Sequence, residues 1–389
     1  WRVAPSLFRE GKGIGVAALL FLLGFSVYLY CPLAALSKPA INWDNPITWQ
    51  NFFRLLTRAD YGTFKLLSSE AQQAVTVSRL EQLPAFFAGL YQQFTGLGIG
   101  LALVGIFHFK RHKLFQGYLA FAFFFSGLFF VMFANMPIQN LLFLGVLHRF
   151  YLMPALFFSF WIGLGLNAFM QWLAQKKIPR SIKRLLPVIL ISGLLVWEFI
   201  ANVEEADFRD NYMAENFARN ILLSLPENSV FFVRGDVASM GVDYLQLVMG
   251  MRPDVVCLDQ SKLTYPWYYQ QAKERFPQLN LPGERYDGRQ VLNRDLIANN
   301  INNFPICFMD FKEESFRQAF NAVPNGLVYR LLPKAQAYSP EALEQQFDRF
   351  YSKMVRTGLE RDYPATTFEH EVKQIYAEPF FRLGYEFQQ

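Results

Sequence analysis

The sequence predicts an α-helical multi-pass membrane bundle of about five transmembrane helices, then a small α/β soluble domain and terminal helices. Three observations predict it. Up to about residue 201 the chain is mostly long apolar runs, within a total that is 52% hydrophobic and includes 42 Phe. Only 18% of residues are charged, where a soluble domain carries about a quarter. After residue 201 short β-rich runs alternate with helical patterns, as in an α/β domain.

A bilayer core of about 30 Å needs roughly 20 apolar residues in helix. Runs near 13–35, 84–109, 114–133, 141–173 and 185–200 qualify. The fourth is apolar except at His148 and Arg149, and is too long for one upright helix. Either a helix runs from about Phe150 to Leu173 behind a re-entrant or interfacial piece, or it starts at Leu141. In the second case Arg149 lies roughly 12 Å inside, at about 1.5 Å per residue. The fifth carries Glu198, read as an interface residue.

Lys and Arg favour cytoplasmic loops. "FREGKG" before the first run, "KRHK" at 110–113 and "QKKIPRSIKR" at 175–184 fall on one side by alternation. That side is the cytoplasm. The loop 37–81, the loop 134–140 and everything after about residue 202 are then non-cytoplasmic. The net charge of +5 follows from this topology and calls for no nucleic acid. Cys31, Cys257 and Cys307 have no metal spacing, and no metal site is expected. Cys257 and Cys307 read as buried thiols, with a disulfide left open. The opening "WRVAPSLFREGKG" has no initiator Met and resembles an internal loop of a longer protein.

In the second half, "NSVFFVRGD", "RPDVVCLDQ", "FPICFMDF" and "GLVYRLLP" read as strands of a small parallel sheet at 202–338. "SMGVDYLQLVMG", "YPWYYQQAKERF", "NRDLIANNI" and "EESFRQAF" read as helices between them. No Gly-rich phosphate loop accompanies the sheet, and the Arg-Gly-Asp triplet at 234–236 is a strand-end turn. Residues 339–389 are helical, opening on Ser-Pro-Glu.

Ionisable residues at membrane depth point to function. The Arg149 guanidinium suits a phosphate, with His148 beside it; snorkelling or an internal salt bridge would also satisfy it. On the same side, the loop gathers Trp43, Asp44, Trp49, Arg54, Arg58 and Asp60. Asp44 and Asp60 are a candidate base or hydroxyl-binding pair. The tryptophans either stack on a sugar or belong to the interfacial aromatic belt.

Three segments carry a family resemblance: "LSKPAINWDNPITWQNFFRLLTRADYG", "LHRFYLMP" and "LPENSVFFVRGDVASMGVDYLQLVMGMRPDVVCLDQSKLTYPWYYQQ". In order and spacing the chain resembles the multi-pass membrane proteins related to the TMEM260 protein O-mannosyltransferases, placed among glycosyltransferases of the GT-C type. The resemblance implies transfer of mannose or another hexose from a polyprenyl-phosphate sugar donor to Ser/Thr of an exported protein. The transfer would occur at the non-cytoplasmic face of a membrane, here a bacterial inner membrane with a periplasmic C-terminal domain. Arg149 and His148 would bind donor phosphate; Trp43, Asp44, Arg58 and Asp60 would line the substrate cleft; Asp236 would serve the acceptor domain. The family's acidic motif is absent, so the catalytic base is expected upstream of residue 1, leaving Asp44 a supporting role. "GDVASMG" keeps Asp236 but lacks the family's second acid, and His148 stands where the family has Glu. A membrane scaffold whose outer domain binds partners is the alternative. A transporter is disfavoured, since no run carries paired acids or a mid-depth helix break.

Overall fold

The computed structural model describes residues 12–60, 79–108, 113–134, 136–284, 292–309 and 319–387. Five helical segments are long and apolar enough to cross a membrane: Gly13–Leu36, Gln82–His108, Lys113–Ala134, Leu141–Ala174 and Arg180–Glu204. Most of "KRHK", residues 61–78 of the first loop, and the expected helix at 313–320 apart from its end lie outside the described residues.

The chain folds as two compact units that do not follow chain order. One holds residues 1–63, 217–355 and 378–389, the other 64–216 and 356–377. In the first, α1 (Lys12–Phe25) continues through a 3₁₀ turn into α2 (Tyr30–Leu36). The loop that follows contains a helix the sequence reading left out, α3 (Trp49–Thr57). The Thr48 hydroxyl accepts from Asn51 N–H to cap it, and Arg58 ends it at φ +51°. This is a normal start and a left-handed stop.

The same unit holds the five-stranded sheet, ordered β2-β1-β3-β5-β4. Here β1 is Val230–Val233, β2 Val256–Asp259, β3 Ile306–Phe308, β4 Phe320–Asn325 and β5 Val328–Pro333. β1 pairs parallel with β2 and β3, while β5 runs antiparallel to both β3 and β4. The sheet is therefore mixed, not wholly parallel. The three parallel strands are buried at every position, which is why they read as unbroken apolar runs. β4 escaped the sequence reading because "FNAVPN" is poor in β formers; it is an edge strand, the place where Pro324 is tolerated. Gly326, at φ +62°, opens the two-residue hairpin turn that joins it to β5.

Cys257 and Cys307 are both free and buried. They face the two sides of Phe231 in register, so two strand spacings, roughly 9–10 Å, separate them. That exceeds disulfide reach.

Around the sheet lie α10 (Met213–Ser224), α11 (Asp236–Leu247), α12 (Pro266–Arg275), α13 (Leu292–Asn300) and α14 (Pro340–Lys353), with α16 (Glu378–Glu386) last. Val230, Phe232, Leu258, Tyr269, Ile306 and Leu331 share its core. Arg252 ties the edge of this unit together. It donates to the carbonyls of Leu222, Leu225 and Pro226 and forks onto both Asp254 oxygens at 2.8 Å. The Arg-Pro-Asp triplet is thus a backbone staple.

The second unit contains α4 (Gln82–His108), α5 (Lys113–Phe123), α6 (Phe130–Ala134), α7 (Leu141–His148), α8 (Leu152–Ala174) and α9 (Arg180–Ala206), with α15 (Phe368–Ile375). A π-helical stretch, Phe124–Phe129, joins α5 to α6. α4 and α8 pack at backbone contact through glycines. A Cβ on Gly165 would lie 1.8 Å from the Leu101 carbonyl oxygen, and one on Gly105 2.0 Å from that of Trp161. Small residues let membrane helices approach this closely. Gln116 of α5 closes the crossing, accepting from Trp161 Nε1 at 2.7 Å and donating to the Gly105 carbonyl at 3.2 Å.

Two features of this unit bear on the sequence reading. A 3₁₀ turn, Arg149–Tyr151, separates α7 from α8, so the long fourth run changes helix type at the residue that stood out. α4, by contrast, is broken at Thr95, which takes φ +55° and ψ 175°. The expectation of no helix break at mid-depth is corrected there.

Candidate functional site

In the first unit Trp43 and Asn42 of the loop reach the elements that follow the carboxyl end of β2. Asp259 ends that strand, and its Oδ1 accepts from the N–H groups of Ser261 and Lys262. Its Oδ2 accepts from the Ser239 hydroxyl at 2.6 Å and lies 3.0 Å from Lys262 Nζ. Lys262 is only 5% exposed, so its charge depends on these partners. Asp243 is 4.0 Å away, its pKa raised mainly by burial and restrained by Lys262.

The loop covers this cluster with an aromatic side chain. Lys262 Nζ lies 5.6 Å from the centre of the Trp43 ring, within cation–π range. Trp43 in turn packs on Trp267 at 5.5 Å. Asn42 fixes the register. Its carbonyl accepts from Gln271 Nε2 at 2.7 Å, and its N–H donates to Gln271 Oε1 at 3.3 Å. Lys262, Asp259, Asp243, Ser239 and Trp267 were not picked out from sequence. The acid closing "VVCLD" and the following Lys were the available signal.

Asp44 and Asp60, sixteen residues apart in sequence, meet as a hydrogen-bonded carboxyl pair. Asp44 is 5% exposed, and Arg54 forms an ion pair with Asp60. Asp44 Oδ1 and Asp60 Oδ2 are buried without a partner. Burial, then the hydrogen bond and charge of Asp60, push the Asp44 carboxyl up to about 7, against the pull of Arg54. Two adjacent buried carboxyls with one guanidinium hold a proton near neutrality. Asp44 and Asn45 adopt φ +58° and +41° in succession. Such conformations persist only where surroundings impose them. Asn42 Nδ2 and Asn51 Nδ2 do so, donating to Asn45 Oδ1 and O at 2.9 Å.

A raised folded pKa means that the folded protein binds the proton more tightly than the unfolded chain. The resulting stability is complete below about 3.8, the unfolded value, and is lost as pH rises through about 7. The loop is therefore expected to loosen progressively between about pH 4 and about pH 7. Asp44→Asn, which mimics the protonated acid, should flatten that dependence. Thermal melting followed by tryptophan fluorescence across this range checks it; parallel pH profiles for both proteins would refute it.

Arg58 is exposed at the end of α3, and Asp236 is exposed at the first turn of α11. Gly235, at φ +90°, makes the turn between β1 and α11, so the Arg-Gly-Asp triplet is a strand-to-helix corner. Asp236 is not among the partners of the Lys262 cluster.

Arg149 and His148 lie in the second unit. The Arg149 guanidinium sits 5.3 Å from the centre of the Phe368 ring. Phe368 opens α15, capped by the Thr367 hydroxyl. The backbone before it presses on α7, for a Cβ on Gly145 would lie 1.9 Å from the Thr366 carbonyl oxygen. Arg149 is exposed, and among the described residues it pairs with no carboxylate. His148 packs on Tyr151 with ring centres 5.3 Å apart and the planes tilted by 47°. A guanidinium held over a ring in this way is able to present its planar fork to an anion. Phe368 was not anticipated, because 219 residues separate it from Arg149.

Residues 214–282 match the family described as TMEM260-associated domain 2. The match takes in β1, α11, β2, the Arg252 staple and the Lys262 cluster. The chain is 27% identical over 382 residues to the protein O-mannosyl-transferase tmem260 of Dictyostelium discoideum, covering 90% of this chain and 46% of that protein. It is 28% identical over 343 residues to the protein O-mannosyl-transferase TMEM260 of Mus musculus, covering 83% and 48%. The chain thus spans about half the length of these relatives. No solved structure matches it. With five apolar helices, a mixed-sheet domain and this likeness along most of its length, the chain is a membrane protein related to the TMEM260 family.

Proposed function

We propose that this chain is part of an integral-membrane glycosyltransferase. It would transfer mannose or a similar hexose from a polyprenyl-phosphate donor to Ser/Thr of an exported protein. The observation that carries the reading is the likeness, over nine-tenths of the chain, to a protein named an O-mannosyl-transferase. The Lys and Arg distribution supports a non-cytoplasmic site, which is periplasmic if the membrane is a bacterial inner membrane. In the reaction the acceptor hydroxyl attacks the anomeric carbon as the bond from that carbon to the phosphate oxygen breaks. The electron pair leaves on the phosphate and the hydroxyl proton goes to a base. Arg149, stacked on Phe368, is suited to the charge that grows on the departing phosphate. The Trp43 loop and Asp236 are assigned to holding the acceptor, and the Asp44–Asp60 pair to keeping that loop in shape.

The test is transfer from labelled polyprenyl-phosphate mannose by the full-length protein in membranes. Arg149→Ala is expected to lower the rate by roughly 100-fold, as for loss of a charge-stabilising donor, with expression and melting unchanged. Unaltered transfer would remove Arg149 from the reaction. A scaffold role keeps one observation in its favour: α11 and its end expose Met240, Tyr244, Val248 and Met249, the adaptable kind of surface that binds varied partners. A full-length protein inactive with every lipid-linked sugar, yet retaining partners through these residues, would favour that reading.

A further inference from the structure

The break in α4 has a polar groove beside it. A threonine at φ +55° inside a helix is an uncommon state for a β-branched residue, and it takes backbone groups out of the helical ladder. Next to it the second unit forms an open-sided groove of about 440 Å³. Gln92, Gln93 and Phe94 line it from before the break, Gly98 from after it, with Ile162 of α8. Leu194, Glu198 and Asn202 of α9 complete the lining.

Depth makes this lining unusual. Gln92 stands ten residues inside the span that starts at Gln82, and Glu198 six residues inside the one that ends at Glu204. At 1.5 Å per residue these are about 15 Å and about 9 Å, in a hydrocarbon core of about 30 Å. Alternation of the spans puts both depths on one side. Asn202 Nδ2 donates to the Glu198 carbonyl at 2.8 Å and to its carboxylate at 3.3 Å. Among the described residues the Gln92 and Gln93 amides have no side-chain partner, and both are exposed. Amides and a carboxylate facing lipid tails are unfavourable unless something polar meets them.

We propose that this groove binds the uncharged, hydroxyl-rich headgroup of a membrane lipid, a sugar carried on an apolar chain. Carboxamides offer both donors and acceptors and the carboxylate accepts, a set that matches sugar hydroxyls. No Lys, Arg or His lines the groove, and Glu198 would repel a phosphate, so an anionic headgroup does not fit. Phe94, Ile162 and Leu194 give the apolar side that a sugar face and the start of a lipid chain require. The volume lies within the usual range for small-molecule sites. The assignment stands apart from Arg149: the groove would hold a sugar lipid whether or not the protein transfers the sugar.

The experiment uses the full-length protein in nanodiscs with a diazirine-bearing mannosyl lipid. Competitors are polyprenyl-phosphate mannose, mannosyl diacylglycerol and sugar-free polyprenyl phosphate. Crosslinks are expected in peptides spanning 92–98 and 194–202. Mannosyl diacylglycerol, whose headgroup is uncharged, should suppress them, and suppression by polyprenyl-phosphate mannose alone would overturn the uncharged headgroup. Gln92→Leu and Glu198→Gln should each lower crosslinking at least 5-fold while the protein stays monodisperse. Arg149→Ala should leave it intact, so this inference and the proposed transfer fail separately. Equal competition by the sugar-free lipid would overturn the proposal. So would crosslinks confined to other helices, or a protein segment found crosslinked over Gln92 and Glu198.

Discussion

Gly165→Val is expected to prevent the second unit from assembling. The added Cβ would stand 1.8 Å from the Leu101 carbonyl oxygen, and a backbone atom inside a helix cannot rotate away. Overpacking that displaces side chains already destabilises by about 1–3 kcal/mol; here α4 and α8 must separate along their length. Separation would also strain the Trp161–Gln116–Gly105 hydrogen bonds that hold α5 to the same crossing. Gly163→Val is the matched control. It lies in the same helix, and nothing stands within 4 Å of its Cβ position, so a change within about 0.5 kcal/mol is expected. Size exclusion in detergent and fluorescence-detected melting compare the two. Equal behaviour would show that the crossing is looser than described.

Arg252→Ala is expected to cost about 1–3 kcal/mol in the α/β domain, the range for leaving partly buried acceptors without their donor. It would leave the Leu222, Leu225 and Pro226 carbonyls without their donor and Asp254 without its guanidinium. Arg252→Lys should recover little, since one ammonium cannot span a fork of five bonds. Hydrogen exchange in β1 to β3 of the full chain measures the loss; protection equal to the parent would refute the staple. Asp254 gives the pH signature. Its bonds to Arg252 hold its carboxyl down at about 2, so the stability it contributes is complete above about 3.8 and fades as pH falls towards 2. In Arg252→Ala that acid limb should flatten.

The sequence carried the architecture further than the sites. Transmembrane helices depend on local apolar length, so all five spans were legible, and so was the irregularity at Arg149. The parallel strands were legible because full burial makes them continuous apolar runs. β4 was not, since an edge strand with Pro324 is held by pairing with β5 and not by its own propensity. Thr95 gave no warning either: "TGLGIG" is rich in glycine, yet the break falls on the threonine. Asp44, Asp60 and Trp43 were singled out from their crowding in one loop, and the meeting of Asp44 with Asp60 and of Trp43 with Lys262 was beyond sequence.

What the sequence by itself determined about this protein is therefore that five stretches are helical and apolar enough to cross lipid, that a small sheet domain follows them, and which loop concentrates polar residues. These follow from solvent preference and short-range periodicity. Only the tertiary structure decided that Arg149 rests on Phe368, that Asp44 shares a proton with Asp60, and that Gln92 faces the same groove as Glu198. Each joins residues from separate segments, and such contacts arise from packing, which no local pattern in the chain encodes.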